Sequence, residues 1–303
     1  GEYLELPGFQ SGCYYFMAHT SEGLEDTLMS VLAKYTPLGR EELYDGAFDV
    51  QWFHEAYNAL GEKDFKLLYD AAKYSAAGSL HARARKYADA ALGSKTFEEL
   101  VQAIDEKRNK DLLMSLGLLP LSDIQEEREE QLLKRYQYIQ KFKKESSQFG
   151  AQRRSSERRA VEMALKNLSI NAGFSDVMRL ILRMESRLTE QYDDCLVWQT
   201  VEDVCLRVAV DEDGRSSLQC RKDGKILKSV PAKYKKYEQV IRCKEACKKL
   251  REQYQRTRQM MEQAMEDGTM FEVWELWKLM AHPVVCPMIS SLVYTGAECS
   301  GKT

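Results

Sequence analysis

"VCLRVAVDEDGRSSLQCRKDGKILK", residues 204–228, decides how the rest of the chain is read. Apolar and polar residues alternate through it, β-branched side chains recur, and Asp213-Gly214 and Asp223-Gly224 interrupt the alternation. Asp-Gly tolerates the positive φ of a tight hairpin turn, and alternation gives each strand one face for a core. The stretch therefore predicts strands over 204–210, 216–221 and 225–228, a small antiparallel meander ended by Pro231.

Outside this stretch the apolar spacing is helical. Leu24, Leu28, Val31 and Leu32 form one stripe, and Trp52, Phe53 and Ala56 begin another. Residues 63–92 are rich in Ala, Lys, Leu and Tyr, with a break expected near Ala77-Gly78. Thr96 with Glu99 has the spacing of a capping box, opening a helix that carries Leu100, Ile104 and Leu112 and closes at Gly117 and Pro120. A long helix is predicted from Ser122 to Phe149, then helices over 154–170 and 175–191 with Gly173 turning between them. The first twenty residues mix glycine, proline and aromatics and read as irregular.

After the meander one helix is predicted over 232–266. Its stripe is Val240, Cys243, Cys247, Leu250, Tyr254, Thr257, Met261 and Ala264, a heptad-like seam that calls for a neighbouring helix. A further helix is expected over 269–280, with Phe271, Trp274 and Trp277. The fold class is mainly α: an irregular helical array, HEAT-like or bundle, with one small antiparallel β meander near 204–228. No Pro/Gly/Ser-rich linker divides the chain, so a helical region, 1–195, and a second region, 196–303, are expected to pack as one continuous unit.

The 44% apolar content is ample for a core, and the net charge of −3 is small, but the charge is unevenly spread. Residues 1–60 carry ten acidic side chains against Lys34 and Arg40. Residues 221–258 carry fourteen Lys or Arg against Asp223, Glu238, Glu245 and Glu252. Such polarity either pairs within the chain or presents a cationic face to phosphate. Eight cysteines without a C-x-x-C suit reduced thiols in a cytoplasmic protein. The longest apolar run, around Val284 to Tyr294, is too short to span a bilayer. The chain opens on Gly1 and closes within a motif, the pattern of a segment from a longer protein.

That closing motif, "GAECSGKT" over Gly296 to Thr303, fits the phosphate-loop pattern, with Gly301, Lys302 and Thr303 as the nucleotide-binding residues. A working loop needs a buried strand before it and a helix after it. The preceding "HPVVCPMISSLVYT" has two prolines within five residues, and "PMISSLVY" reads as a short helix starting near Pro287. Nucleotide binding is thus the alternative reading, not the leading one.

Cys243 and Cys247, with His282 and Cys286, are of the right kind for zinc, but the first pair falls in the apolar seam, where reduced cysteine packs as a small hydrophobe. No metal or cofactor is therefore assigned. His19, His54 and His81 are far apart, and no G-x-S-x-G, H-E-x-x-H or dinucleotide fingerprint supports an enzyme. The strongest signal is basic. Lys225, Lys228, Lys233, Lys235 and Lys236 cluster around the end of the meander, and Arg153, Arg154, Arg158 and Arg159 open a helix. Together they form the candidate partner-binding face.

Three phrases, "RYQYIQKFKKESSQFGAQRRSSERRAVEMALKNLSINAGFSDVMRLILRMES", "DGKILKSVPAKYKK" and "MEDGTMFEVWELWKLMAHPVVCPMISSLVY", carry a family resemblance. The chain resembles the MolR-like family of large bacterial proteins, whose C-terminal region is a domain of unknown function and some of whose members carry a WGR domain. The resemblance implies a cytoplasmic, multidomain protein with helical repeats. It also implies that the segment after "SSLVY" leads into further strands, and through the WGR association it adds some weight to a nucleic-acid partner. The expected function is a non-enzymatic interaction or scaffold module with a basic surface for an acidic or nucleic-acid partner, alongside the rest of its own longer chain.

Overall fold

A computed structural model of the chain describes residues 6–294 apart from 22 and 76–78. The expected break near Ala77-Gly78 and the motif residues Gly301, Lys302 and Thr303 lie outside the described residues. Fourteen α-helices and one four-stranded antiparallel sheet are present among them, a mainly α fold with a small β meander. Contacts group the chain into two compact units, Gly1–Leu180 and Ile181–Thr303, with the division inside a helix, Val177–Glu190.

The first unit begins with α1 (Phe9–Thr20), α2 (Asp26–Leu32), α3 (Arg40–Asp45), α4 (Val50–Ser75) and α5 (Leu80–Ala91). The helix α1 replaces the irregular start expected from the sequence. Its aromatics are the reason: Tyr15 is fully buried, with Trp52 and Phe48 edge-on to its ring at 5.7 and 5.9 Å. Glycine at its head is a close-approach position, not a loop marker. Gly8 has φ +76°, and a Cβ there would lie 2.5 Å from the Ala59 Cβ on α4.

Next come α6 (Phe97–Lys107), α7 (Lys110–Leu116), α8 (Gln125–Glu145), a single 3₁₀ turn at Ser146–Gln148 and α9 (Ala151–Ala172). The Thr96–Glu99 capping box forms: the Thr96 Oγ1 accepts from Glu99 N at 3.2 Å, and Glu99 Oε2 accepts from Thr96 N at 2.8 Å. The single helix expected to run on to Leu112 is two helices instead. Arg108 turns left-handed, with φ 48°, and Asn109 caps the next helix by accepting from Leu112 N at 3.1 Å. The helix α9 packs against α3, α4, α7 and α8. On it, the fully buried Asn167 accepts from Phe48 N at 2.9 Å and donates to the carbonyls of Gly46 and Met114 at 3.2 and 3.3 Å.

The division falls in α10 (Val177–Glu190); then follow α11 (Asp193–Leu196), β1 (Gln199–Val201), β2 (Val204–Val210), β3 (Ser216–Lys222), β4 (Lys225–Leu227), a 3₁₀ turn at Ala232–Tyr234, α12 (Glu238–Glu266), α13 (Val273–Met280) and α14 (Cys286–Ser290). The sheet order is β1-β2-β3-β4. The strand β1 adds to the predicted meander. Only three residues long, it pairs Val201 with Val204 across a two-residue turn and lacks the length for alternation to show.

The seam of α12 is buried as predicted at Val240, Cys243, Cys247, Leu250, Thr257, Met261 and Ala264, but its first partner is the sheet. Val240 packs with Val204, Leu206 and Cys220, and Cys243, Cys247 and Leu250 pack with Val208. Apolar spacing on a helix specifies a buried stripe and leaves open whether a helix or a sheet covers it. Further along, Met261 joins Val285 and Ile289 beneath Phe271, Leu276 and Leu279. Trp274 and Trp277 lie on the other side of α13 and are 57% and 70% exposed.

Candidate functional site

The candidate surface in the second unit is organised by the turns of the sheet. Asp223-Gly224 joins β3 to β4 with φ 48° and 77°, the paired positive values of a two-residue type I′ hairpin. Asp213-Gly214 sits in a longer loop. There Asp211 accepts N–H groups from Asp213 and Arg215 at 3.1 and 2.7 Å, and Gly214 takes φ 82°. The third turn, Glu202-Asp203, places two carboxylates at one end of the sheet.

Those carboxylates engage part of the lysine cluster. Asp203 accepts from Lys222 Nζ at 2.6 Å, has Lys233 Nζ at 3.6 Å and accepts from the Tyr234 hydroxyl. The hydrogen bond from Lys222, with the charges of Lys222 and Lys233, holds the Asp203 carboxyl below the usual carboxylate range. Glu202 accepts from the Tyr237 hydroxyl at 2.6 Å. Lys233 also lies 4.3 Å from the Tyr234 ring centroid. Lys225, Lys228, Lys235 and Lys236 are exposed and pair with no carboxylate among the described residues. The cluster thus divides into one lysine tied to Asp203 and four facing solvent.

The arginine cluster belongs to the first unit, on the opening turns of α9. Arg153 stacks its guanidinium 3.7 Å from the Phe149 centroid and pairs with Glu157 at 2.9 Å, while Arg158 pairs with Glu162 at 2.9 Å. Arg154 and Arg159 are exposed. Half of this cluster is thereby committed to structure, and Arg154 and Arg159 pair with no carboxylate among the described residues.

The structure adds residues that local sequence reading passed over. Trp198 precedes β1, and the guanidinium centres of Arg207 and Arg221 lie 4.7 and 4.5 Å from its ring centroid. Arg207 and Arg221 are fourteen positions apart and meet only through the cross-strand register, in which Arg207 faces Gln219 and Cys205 faces Arg221. Alternation within β2 and β3 was the available signal; the register that turns it into a shared face is not local.

Cys243 and Cys247 are buried with Tyr192, Cys195, Val208 and Leu250. Burial, with Cys243 alongside, pushes the Cys195 thiol up to about 12, and burial raises that of Cys243 as well. No group of three or more His, Cys, Asp or Glu side chains suited to a metal gathers among the described residues. His282, the other sequence candidate, is engaged elsewhere. Its Nδ1 has Val284 N at 3.3 Å, and its Nε2 lies 2.6 Å from Thr189 Oγ1 and 3.2 Å from the Gln253 amide nitrogen. The Thr189 hydroxyl in turn donates to the carbonyl of Ser186 at 3.0 Å. Thr189, His282 and the Gln253 amide form one polar joint between α10, α12 and the segment before α14.

The stretch leading to the Gly296–Thr303 motif is α14 followed by a turn, and no strand of the described residues runs into it. No helix of the described residues is long and apolar enough to cross a membrane.

Residues 1–184 match the model of a family of unknown function (DUF5724), and residues 224–302 match a domain of unknown function (DUF4132). No curated protein and no solved structure matches the chain.

Proposed function

The chain belongs to that first family of unknown function, DUF5724, and we propose that it works as a non-enzymatic interaction module whose basic surface takes an acidic or nucleic-acid partner. The observation that carries this reading is the set of four exposed lysines, Lys225, Lys228, Lys235 and Lys236, between the start of β4 and the head of α12 and without carboxylate partners among the described residues. Unpaired cations repel one another and are relieved by a polyanion, which releases counterions as it binds. Arg154 and Arg159 form a basic patch of the first unit. The phrases that resemble MolR-like proteins support reading the module as part of a large cytoplasmic bacterial protein.

The test is direct titration of the chain with DNA and RNA, duplex and single-stranded, and with polyglutamate, across a range of salt. Binding that weakens steeply with salt supports the reading, and the slope counts the phosphates engaged. Reversal of charge by Lys235→Glu with Lys236→Glu is expected to weaken binding while leaving the melting temperature unchanged. No binding to any polyanion at low salt overturns the reading.

A further inference from the structure

The outer face of the four-stranded sheet carries an aromatic and two cations that the fold itself does not require. One face of the sheet is closed: Val201, Val204, Leu206, Val208 and Cys220 are buried against α12 and the segment before it. Alternation places Thr200, Cys205, Arg207, Gln219, Arg221 and Ile226 on the opposite face. None of them is acidic, and the remaining outward positions, Ala209 and Ser217, are uncharged too.

Two like charges are therefore held at one indole with no carboxylate on their face. Arg207 donates from Nε to Gln219 Oε1 at 3.0 Å, a neutral acceptor that orients the guanidinium without neutralising it. Arg221 makes no hydrogen bond or ion pair among the described residues beyond its stacking on Trp198. The strand partners, Gln219 opposite Arg207 and Cys205 opposite Arg221, are half-buried and uncharged, so neither neutralises its arginine. The face instead offers two planar guanidiniums with unfilled donors. That geometry suits phosphate oxygens, which accept two parallel N–H bonds from one arginine. Beside them stand an indole and Ile226, which is 65% exposed. Lys225 and Lys228, both exposed, bracket Ile226 along the chain.

We propose that this outer sheet face, built on Trp198, Arg207 and Arg221, binds single-stranded nucleic acid, with phosphates on the arginines and bases against the Trp198 indole at one edge and Ile226 at the other. The proposal rests on the reading of the chain as a module for a polyanionic partner and names its surface and substrate class. Single strands are favoured over duplex by shape and chemistry. A flat platform of short strands has nothing to insert into a groove, whereas unpaired bases expose the faces that stack on aromatic and guanidinium planes. An acidic peptide would satisfy the arginines but leave the aromatic and apolar surface unused.

The experiment is fluorescence anisotropy of labelled twelve-nucleotide single strands, RNA and DNA, and of a duplex of the same length, against the intact chain and four variants. Trp198→Leu and the double change Arg207→Gln with Arg221→Gln test the platform. Arg221→Lys keeps the charge and removes the fork, so it retains meaning if the double variant is unstable. Lys235→Glu with Lys236→Glu is the comparator outside the sheet face. The expected result is tighter binding of single strands than of duplex, with affinity falling about fivefold or more for Trp198→Leu. For the double arginine variant the slope of log affinity on log salt should shrink by about 2. Single-strand affinity unchanged in the Trp198 and arginine variants but lost in the lysine variant overturns the platform and leaves the wider reading standing. Tighter binding of duplex than of single strands also overturns it. If polyglutamate binds and neither nucleic acid does, the substrate class is wrong while the basic module survives; if nothing binds, both fall.

Discussion

Arg108 and Glu157 are joined at three points: Nε of Arg108 lies 3.0 and 3.1 Å from the two carboxylate oxygens, and Nη2 donates again at 3.0 Å. The same guanidinium reaches Glu145 at 2.9 Å and the Phe142 carbonyl at 2.9 Å, so the end of α6 is tied to α8 and α9 through one side chain. Burial alone would raise the Glu157 carboxyl, but hydrogen bonds from Arg108, Ser146 and Arg153 outweigh it and hold the group below the usual carboxylate range.

Removing that carboxylate should be costly in a way that removing its exposed partner is not. Glu157→Gln is expected to destabilise the first unit by about 2–4 kcal/mol, because it leaves a half-buried guanidinium short of charge. Arg153→Ala removes a half-exposed arginine and should cost less than about 1 kcal/mol. Urea unfolding of both variants checks the contrast; equal losses would show that the buried pair has no special weight.

Asn167 is a purely structural polar residue. Its amide satisfies the Phe48 N–H and two carbonyls in a fully buried setting. Asn167→Ala should cost about 2–3 kcal/mol by orphaning those groups, and Asn167→Asp should do no better, since a carboxylate cannot donate to the carbonyls of Gly46 and Met114. The urea midpoint should fall with its slope unchanged.

Stability should decline on the acid side earlier than carboxylates alone would cause. His19 is buried with its Nε2 unpartnered; burial, reinforced by the charge of Arg83, lowers its pKa to about 3. The unfolded chain takes up that proton near the ordinary histidine pKa of about 6.5, the folded chain only near 3. Between those values the unfolded state binds more protons, so the contribution is whole above about pH 6.5 and is lost as pH falls towards 3. Burial lowers His282 as well, giving the second unit a weaker dependence of the same sign. Unfolding at a series of pH values between 7.5 and 4.5 should show the slope, and His19→Phe should reduce it.

The buried thiols should be inert until the second unit opens. Cys195, Cys220, Cys243 and Cys247 are buried, whereas Cys205 and Cys286 are partly exposed. A disulfide-exchange reagent at pH 8 is expected to modify Cys205 and Cys286 promptly and the buried four only at the rate of unfolding. A strong chelator should leave the melting temperature unchanged.

What was legible in the sequence was local. The Asp223-Gly224 hairpin and the Thr96–Glu99 cap each depend on a few consecutive residues, and both form as their spacing requires. The helix α1 was hidden because its glycines look like loop residues until Ala59 and Leu60 of α4 are set against them. The break at Arg108 was hidden because a left-handed arginine is stabilised by Glu145 and Glu157, which lie 37 and 49 positions away. The candidate site divides in the same manner. The lysine run is visible as composition, but its neutralisation at Lys233 needs Asp203, and the Trp198 platform needs the register of β2 against β3.

The helix α12 has 29 residues and is about 43 Å long. Its first half is fastened to the sheet by two apolar clusters, while among the described residues its last turns share the small cluster of Met261, Val285 and Ile289. Opening free energy follows local burial, so amide exchange should be graded along this one rod: amides near Met261 exchange by local fraying, those near Cys243 and Leu250 only by opening of the whole unit. A continuous helix then spans two cooperative regimes, and a partner that covered its loosely held end would show itself as slowed exchange there before any change of shape.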